Sequence, residues 1–239
     1  MINITIIPTR EDNYSYLLDS THGETAVIDA AHPATPIINA LHKKKLTHIL
    51  ITHHHYDHID GVPALKSYAP EAQIYAAKAD SHRIPNINKA LSEGDIIPFG
   101  DEELHIIDTP GHTCGHIAYY APQSKALFCA DTLFSLGCGR LFEGTAEQMW
   151  QSLEKFKSLP DDTYIYPGHE YTLANSAFCL AQNPDNTELK TRIKQAEQQR
   201  AQNQPTIPTT LAQEKATNPF LQAKTAKEFA QLRSLKDKF

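Results

Sequence analysis

Over its first two thirds the chain reads as short apolar runs separated by turn residues, with helical spacing entering only occasionally. Strands are predicted at 2–7, 14–18, 26–29, 46–52, 73–76, 103–108, 117–120, 126–129 and 163–166. Thr35 before Pro36 reads as a cap followed by a first helical residue, with Ile37, Ile38 and Leu41 at helical spacing behind them. Thr145 and Gln148 form a capping-box pair ahead of Met149, Trp150, Leu153 and Phe156 and predict another helix. Beyond about residue 170 the strands stop, and Leu173, Ala177, Phe178 and Leu180, then Leu189, Ile193 and Ala196, recur at helical spacing. A Pro-marked break at 205–219 precedes a last amphipathic helix around Phe229 and Leu232. The pattern predicts an α/β fold with a small helical C-terminal domain.

Composition narrows this reading. A chain of 239 residues, 41% hydrophobic, can bury one substantial core and carry an appendage. Its net charge of -6 opposes attraction to nucleic acid or to an anionic membrane, so neither is expected as a partner. No run approaches the ~18 apolar residues of a spanning helix, and the N-terminus lacks a basic leader. The expectation is a cytoplasmic protein, monomeric by default. Cys114, Cys129, Cys138 and Cys179 form no C-x-x-C pair, which predicts free thiols, with Cys114 a small filler.

The chemistry concentrates at strand ends. Ile49-Leu50-Ile51-Thr52 runs directly into His53-His54-His55-Tyr56-Asp57-His58. In an extended segment residues two apart point the same way, so His53 and His55 can share a metal while His54 points elsewhere as a bystander. Once the chain turns, Asp57 and His58 can approach a second metal. Imidazole and carboxylate together suit zinc, iron or manganese. Three further candidates each follow a strand-like run: His112 in Pro110-Gly111-His112, Asp131 in Cys129-Ala130-Asp131, and His169 in Pro167-Gly168-His169. Strand-end loops are where a rigid sheet gathers distant side chains.

Through Thr52-His53-His54-His55-Tyr56-Asp57-His58, Gly111-His112-Thr113, Ala130-Asp131-Thr132 and Gly168-His169, the sequence resembles the metallo-β-lactamase superfamily. The resemblance implies an αββα sandwich with two divalent metal ions at one edge, zinc foremost. It places His53, His55 and His112 on the first metal and Asp57, His58 and His169 on the second, with Asp131 bridging both. Asp29 resembles the acidic residue that buttresses the metal loop, and His116 is a further candidate for orienting a ligand. Two such cations acidify a shared water, which is machinery for hydrolysis, with Asp57 and Asp131 as the catalytic carboxylates.

The stretch from Asp131 to Thr145, with His169-Glu170-Tyr171, Asn218-Pro219-Phe220 and Arg233-Ser234-Leu235-Lys236-Asp237, closely resembles glyoxalase II, the hydroxyacylglutathione hydrolases. This implies an enzyme cleaving S-D-lactoylglutathione to glutathione and D-lactate, in methylglyoxal detoxification, with a catalytic domain at 1–169 and a helical domain at 170–239 that contributes to the glutathione site. Arg140, Tyr171, Arg233 and Lys236 would hold the substrate. Phe142 stands where some members carry Tyr. The rival of the same superfamily is a glutathione persulfide dioxygenase using a single iron.

Overall fold

Val27-Ile28 and Ile49-Leu50-Ile51 carry no polar alternation, as strands covered on both faces do, and each of these residues is buried. The computed structural model describes residues 1–239. It divides by its contacts into two units, one of Met1–Asp108 with Gly115–Phe128, the other of Thr109–Cys114 with Cys129–Phe239.

In the first unit, one sheet runs in chain order through β1 (Asn3–Thr9), β2 (Asn13–Asp19), β3 (Thr25–Ile28), β4 (Leu46–Leu50), β5 (Gln73–Ala77) and β6 (Lys89–Leu91). Its first three strands are antiparallel and its last four run parallel. Helices α1 (Thr35–Leu41), α2 (Tyr56–Ile59) and α3 (Val62–Tyr68) connect them. Ile37, Leu41, Val62 and Leu65 share a core with Leu17, Val27, Ile49 and Ile74. Each such side chain contributes roughly 1.5–3 kcal/mol by its burial.

A second, antiparallel sheet follows in the order β7 (Ile96–Phe99), β8 (Glu102–Asp108), β9 (Ile117–Ala121) and β10 (Ala126–Ala130). The Tyr119 hydroxyl donates to the Ile51 carbonyl at 2.8 Å, and the Tyr16 and Phe128 rings meet with centroids 5.4 Å apart. These contacts join the two inner faces of a sandwich.

The second unit contains the hairpin β11 (Leu133–Phe134) and β12 (Gly137–Cys138), and β13 (Tyr164–Pro167) paired with β14 (Thr209–Thr210). Its helices are α4 (Ala146–Lys157), α5 (Thr172–Gln182), α6 (Thr187–Ala201), α7 (Leu211–Thr217), α8 (Pro219–Gln222) and α9 (Ala226–Lys236). Both halves of the Thr145/Gln148 capping box are made at α4. A buried network ties three of these elements to the hairpin turn. Glu214 accepts from Arg192, from Thr209 Oγ1 at 2.6 Å, from the Leu136 amide at 3.0 Å and from Asn218 Nδ2 at 3.2 Å.

The strand pattern holds, with corrections. Thr35 is the first residue of α1 and Ala34 its cap, without a side-chain hydrogen bond. Thr35 is therefore not the capping group. The break at 205–219 contains α7, started by a second capping box, Thr210 with Gln213, and it also contains the short β14. β6 and β7 escape the pattern because they are short and carry Lys89 or Pro98.

Candidate metal centre and anion cavity

In the first unit the donors follow from how β3 and β4 end. Asp29, the residue after β3, takes a left-handed φ of 52°, which Asp tolerates better than most residues. Its amide donates to the Leu50 carbonyl at 2.9 Å. Its carboxylate accepts from the Thr52 amide at 2.9 Å, the Thr52 hydroxyl at 2.8 Å and His58 Nδ1 at 2.7 Å. The Thr52 hydroxyl, its one proton given to Asp29, stands 3.0 Å from His53 Nδ1 and accepts there. His53 and His58 are thereby held with the proton on Nδ1 and the Nε2 lone pair for ligation. One donor atom from each of Asp29, His53 and His58 lies within 4.8 Å of the other two. Asp29 is nevertheless the orienting group of the three, since both its oxygens serve Thr52 and His58.

The neighbouring candidates converge on the same place. His53 packs against His55 with centroids 4.7 Å apart, against His58 at 4.2 Å and against His116 at 4.7 Å. Asp57 lies in the first turn of the one-turn helix α2, so the cluster is a bend followed by a helical turn and not a simple loop. Asp57 Oδ2 lies 3.6 Å from His58 Nε2 and accepts from Asn13 Nδ2 at 3.0 Å. Asn13, and the orienting role of the Thr52 hydroxyl, are not marked in the sequence, because neither residue type nor spacing identifies an orienting group.

In the second unit Asp131 is the hub. His112 Nε2 and His169 Nε2 each lie 3.4 Å from Asp131 Oδ2, and all three residues are buried. His112 Nδ1 donates to the Arg140 carbonyl at 2.8 Å, which again leaves Nε2 as the lone-pair nitrogen. Nitrogen lone pairs converging on a carboxylate oxygen repel unless a cation lies among them. The donors within each unit fit divalent metal ions, as imidazole and carboxylate ligands, with His53, His58 and His112 in the tautomer that ligation needs. Gly139 is required here, since a Cβ would stand 1.9 Å from the Asp131 carbonyl oxygen.

The same unit holds a cavity of about 480 Å³ lined by His112 and Asp131 together with Arg140, Arg233 and Lys236. Phe142 and Tyr171 also border it, as do Phe134 and Asn175, which the sequence reading did not single out. Tyr171 stacks on His169, centroids 4.7 Å apart and planes 5° apart. Phe142 is exposed, with its ring edge-on to His112 at 5.2 Å.

Arg233 is buried on the inner face of α9, donating to the Cys138 carbonyl at 3.0 Å and to Asp237 at 3.1 Å, with its guanidinium over the Phe220 ring. The Lys236 ammonium lies 3.3 Å from the Ala174 carbonyl and near the rings of Phe178 and Phe239. Burial pushes Lys236 below the usual lysine value, and the charges of Arg233 and Arg140 push the same way. The Lys236 charge, disfavoured beside two arginines at one cavity, is one that an anion would relieve.

The three buried cysteines are not poised as nucleophiles. All four cysteines are free. Burial raises the Cys138 thiol to about 11 and the Cys179 thiol to about 12. Cys114 is exposed and so fills no gap in the core, contrary to the sequence expectation; its amide donates to Glu143 at 2.8 Å.

Comparison with known proteins defines the class. Residues 8–169 match the metallo-β-lactamase superfamily, and the fold is shared by the crystal structure of ETHE1 from Myxococcus xanthus, with a TM-score of 0.72, 24% identity, and 98% of this chain and 90% of that one covered. The chain is thus a metallo-β-lactamase-fold protein. Residues 170–239 match the hydroxyacylglutathione hydrolase C-terminus. A hydroxyacylglutathione hydrolase from Ruegeria pomeroyi is 45% identical over 255 residues, and one from Rhizobium meliloti 45% over 254, each covering 100% of this chain and 99% of the relative. The chain belongs to the hydroxyacylglutathione hydrolase family, a family of hydrolases.

Proposed function

We propose that the protein hydrolyses S-D-lactoylglutathione, and S-2-hydroxyacylglutathiones as a class, to glutathione and the free acid. The observation that carries this reading is the grouping of Arg140, Arg233 and Lys236 around the cavity that also holds His112 and Asp131. The glutathione part of such a substrate has two carboxylates, and an acidic protein must supply local cations to hold them. The name carried by the full-length relatives supports the same substrate class.

Seven residues would hold two divalent ions: His53, His55 and His112 on one, Asp57, His58 and His169 on the other, and Asp131 between them. Zinc is the proposed metal, with iron or manganese compatible with the ligands. Bound there, the ions would acidify a water and polarise the thioester carbonyl. The protein's own part is positioning. Arg140, Arg233 and Lys236 anchor the carboxylates, Tyr171 and Phe142 pack on the tripeptide, and Asp57 and Asp131 supply the negative charge that keeps two cations in place. The departing thiolate is a weak base, so no strong acid is needed beside it.

In this reading residues 1–169 form the catalytic domain and 170–239 complete the glutathione site, in a cytoplasmic monomer that clears the thioester derived from methylglyoxal. No helix is long and apolar enough to cross a membrane. The test is thiol release from S-D-lactoylglutathione by metal-loaded protein, run beside oxygen uptake with glutathione persulfide. Thiol release no faster than in buffer, with two metals bound, rejects the hydrolase. Oxygen uptake with one iron would establish the persulfide dioxygenase, which the full-length relatives make the weaker reading.

Lys236→Ala separates binding from chemistry. Loss of one charged hydrogen bond to a carboxylate is worth about 1.5–3 kcal/mol, so KM should rise roughly 10- to 100-fold while kcat stays within about threefold. Arg233→Ala also raises KM, yet it additionally releases the Cys138 carbonyl and Asp237, which makes Lys236 the cleaner probe. The ammonium is present below its lowered pKa and lost as pH rises through it. The alkaline fall in kcat/KM should therefore set in below the ordinary lysine range in the wild type and vanish in Lys236→Ala.

A further inference from the structure

His54 lies between two proposed ligands, and alternation along the chain points its side chain away from theirs. β4 and β5 are parallel neighbours, so their C-terminal ends meet at one edge of the sheet, where the Ile51 amide bonds the Tyr75 carbonyl at 2.9 Å. Past β4 the chain enters the histidine cluster. Past β5, a short helical turn at Lys78–Asp80 delivers Asp80, which is fully buried. Asp80 Oδ1 accepts from Arg83 Nε at 3.1 Å and Nη2 at 2.5 Å, and its Oδ2 faces His54 Nδ1 at 3.2 Å. Arg83 Nη1 lies 3.2 Å from His54 Nε2. Arginine only donates and an ionised carboxylate only accepts, so the imidazole gives its Nδ1 proton to Asp80 and receives from Arg83 at Nε2. The back of the carboxylate is closed by Gly115, where a Cβ would stand 2.2 Å from Asp80 Oδ1.

From this three-membered ring of hydrogen bonds we infer that Asp80 and Arg83 are positioning residues. They clamp His54, and through its backbone they fix the two flanking residues, His53 and His55, as a preformed pair of ligands for one metal. Both ring nitrogens of His54 are used inside the clamp, which keeps it from competing as a ligand. Asp57 and His58 are instead held by Asn13 and Asp29, so the clamp acts on one metal of the two. A buried charged group with a fork-shaped partner costs desolvation, and the rigidity it gives the adjacent loop is a use that offsets this cost.

The inference rests on the ligand assignment proposed above, and the experiment separates the two. Wild type, Asp80→Asn and the milder His54→Gln are loaded with Co²⁺, and metal retention against a chelator is followed together with the visible spectrum of the bound metal. Wild type retaining two ions supports the ligand assignment; wild type retaining none overturns it and the clamp with it. The clamp predicts that one ion is held roughly 10- to 100-fold more weakly in both variants, with an altered spectrum, while the other ion is held as in wild type. Retention unchanged for both ions overturns the clamp. Equal weakening of both, accompanied by a lowered thermal midpoint of the metal-free protein, also overturns it, because that is the mark of a purely structural role.

Discussion

Asp131→Ala is expected to lower kcat for thioester hydrolysis by roughly 10²- to 10³-fold, the largest catalytic loss of any single substitution considered. Asp131 Oδ2 stands 3.4 Å from the Nε2 atoms of both His112 and His169, so its removal takes away the negative charge on which two neutral imidazoles converge. A metal ion contributes several kcal/mol of charge stabilisation, and each 1.36 kcal/mol is a factor of ten in rate. Asp131→Asn isolates charge from shape, since the amide retains the volume and one carbonyl oxygen. Metal content per chain, measured beside kcat, should fall in both variants. A kcat within about threefold of wild type, at undiminished metal content, would remove Asp131 from the site.

Glu214→Ala is expected to destabilise the protein by about 3–5 kcal/mol, the cost of leaving a buried charged partner behind. Glu214 is fully buried, and its oxygens receive Arg192, Thr209, Asn218 and the Leu136 amide. Arg192, itself buried, would keep only hydroxyl and carbonyl acceptors, among them Ser135 Oγ at 2.9 Å. Urea unfolding followed by circular dichroism measures the loss, and Glu214→Gln should fall between wild type and Ala because it keeps the volume and one acceptor oxygen while losing the charge and the second acceptor. A loss below about 1 kcal/mol in Glu214→Ala would mean that the network adds little over its apolar surroundings. Because the network holds the turn at Ser135 and Leu136, next to β11 and β12, a moderate rise in KM should accompany the lost stability.

The sequence by itself determined the strand–loop logic of the site. The apolar run ending at Thr52 and the two Pro-Gly-His turns are local signals, and their neighbours in the chain suffice to read them as strand ends bearing donors. The capping box at Thr145 was equally legible, because both partners lie within one helical turn. What sequence could not reveal were partners far apart along the chain. Asn13 on Asp57, Asp80 on His54, and Glu214 on Arg192 pair residues 44, 26 and 22 positions apart, and no spacing rule links them.

The cationic pair shows the same division. Its three-residue spacing on a helix places Arg233 and Lys236 on one face, which sequence states, yet charged residues near a chain end are usually solvated. Only the packing of α9 makes Arg233 a buried residue bonded to Cys138 and leaves Lys236 at the cavity with its charge disfavoured. His54 is the sharpest case. Alternation along the chain marks it as the histidine that points away from its neighbours, and tertiary structure decides what it points to. The physical reason is general: side-chain direction follows from local backbone geometry, whereas hydrogen-bond partners depend on which strands the sheet places side by side.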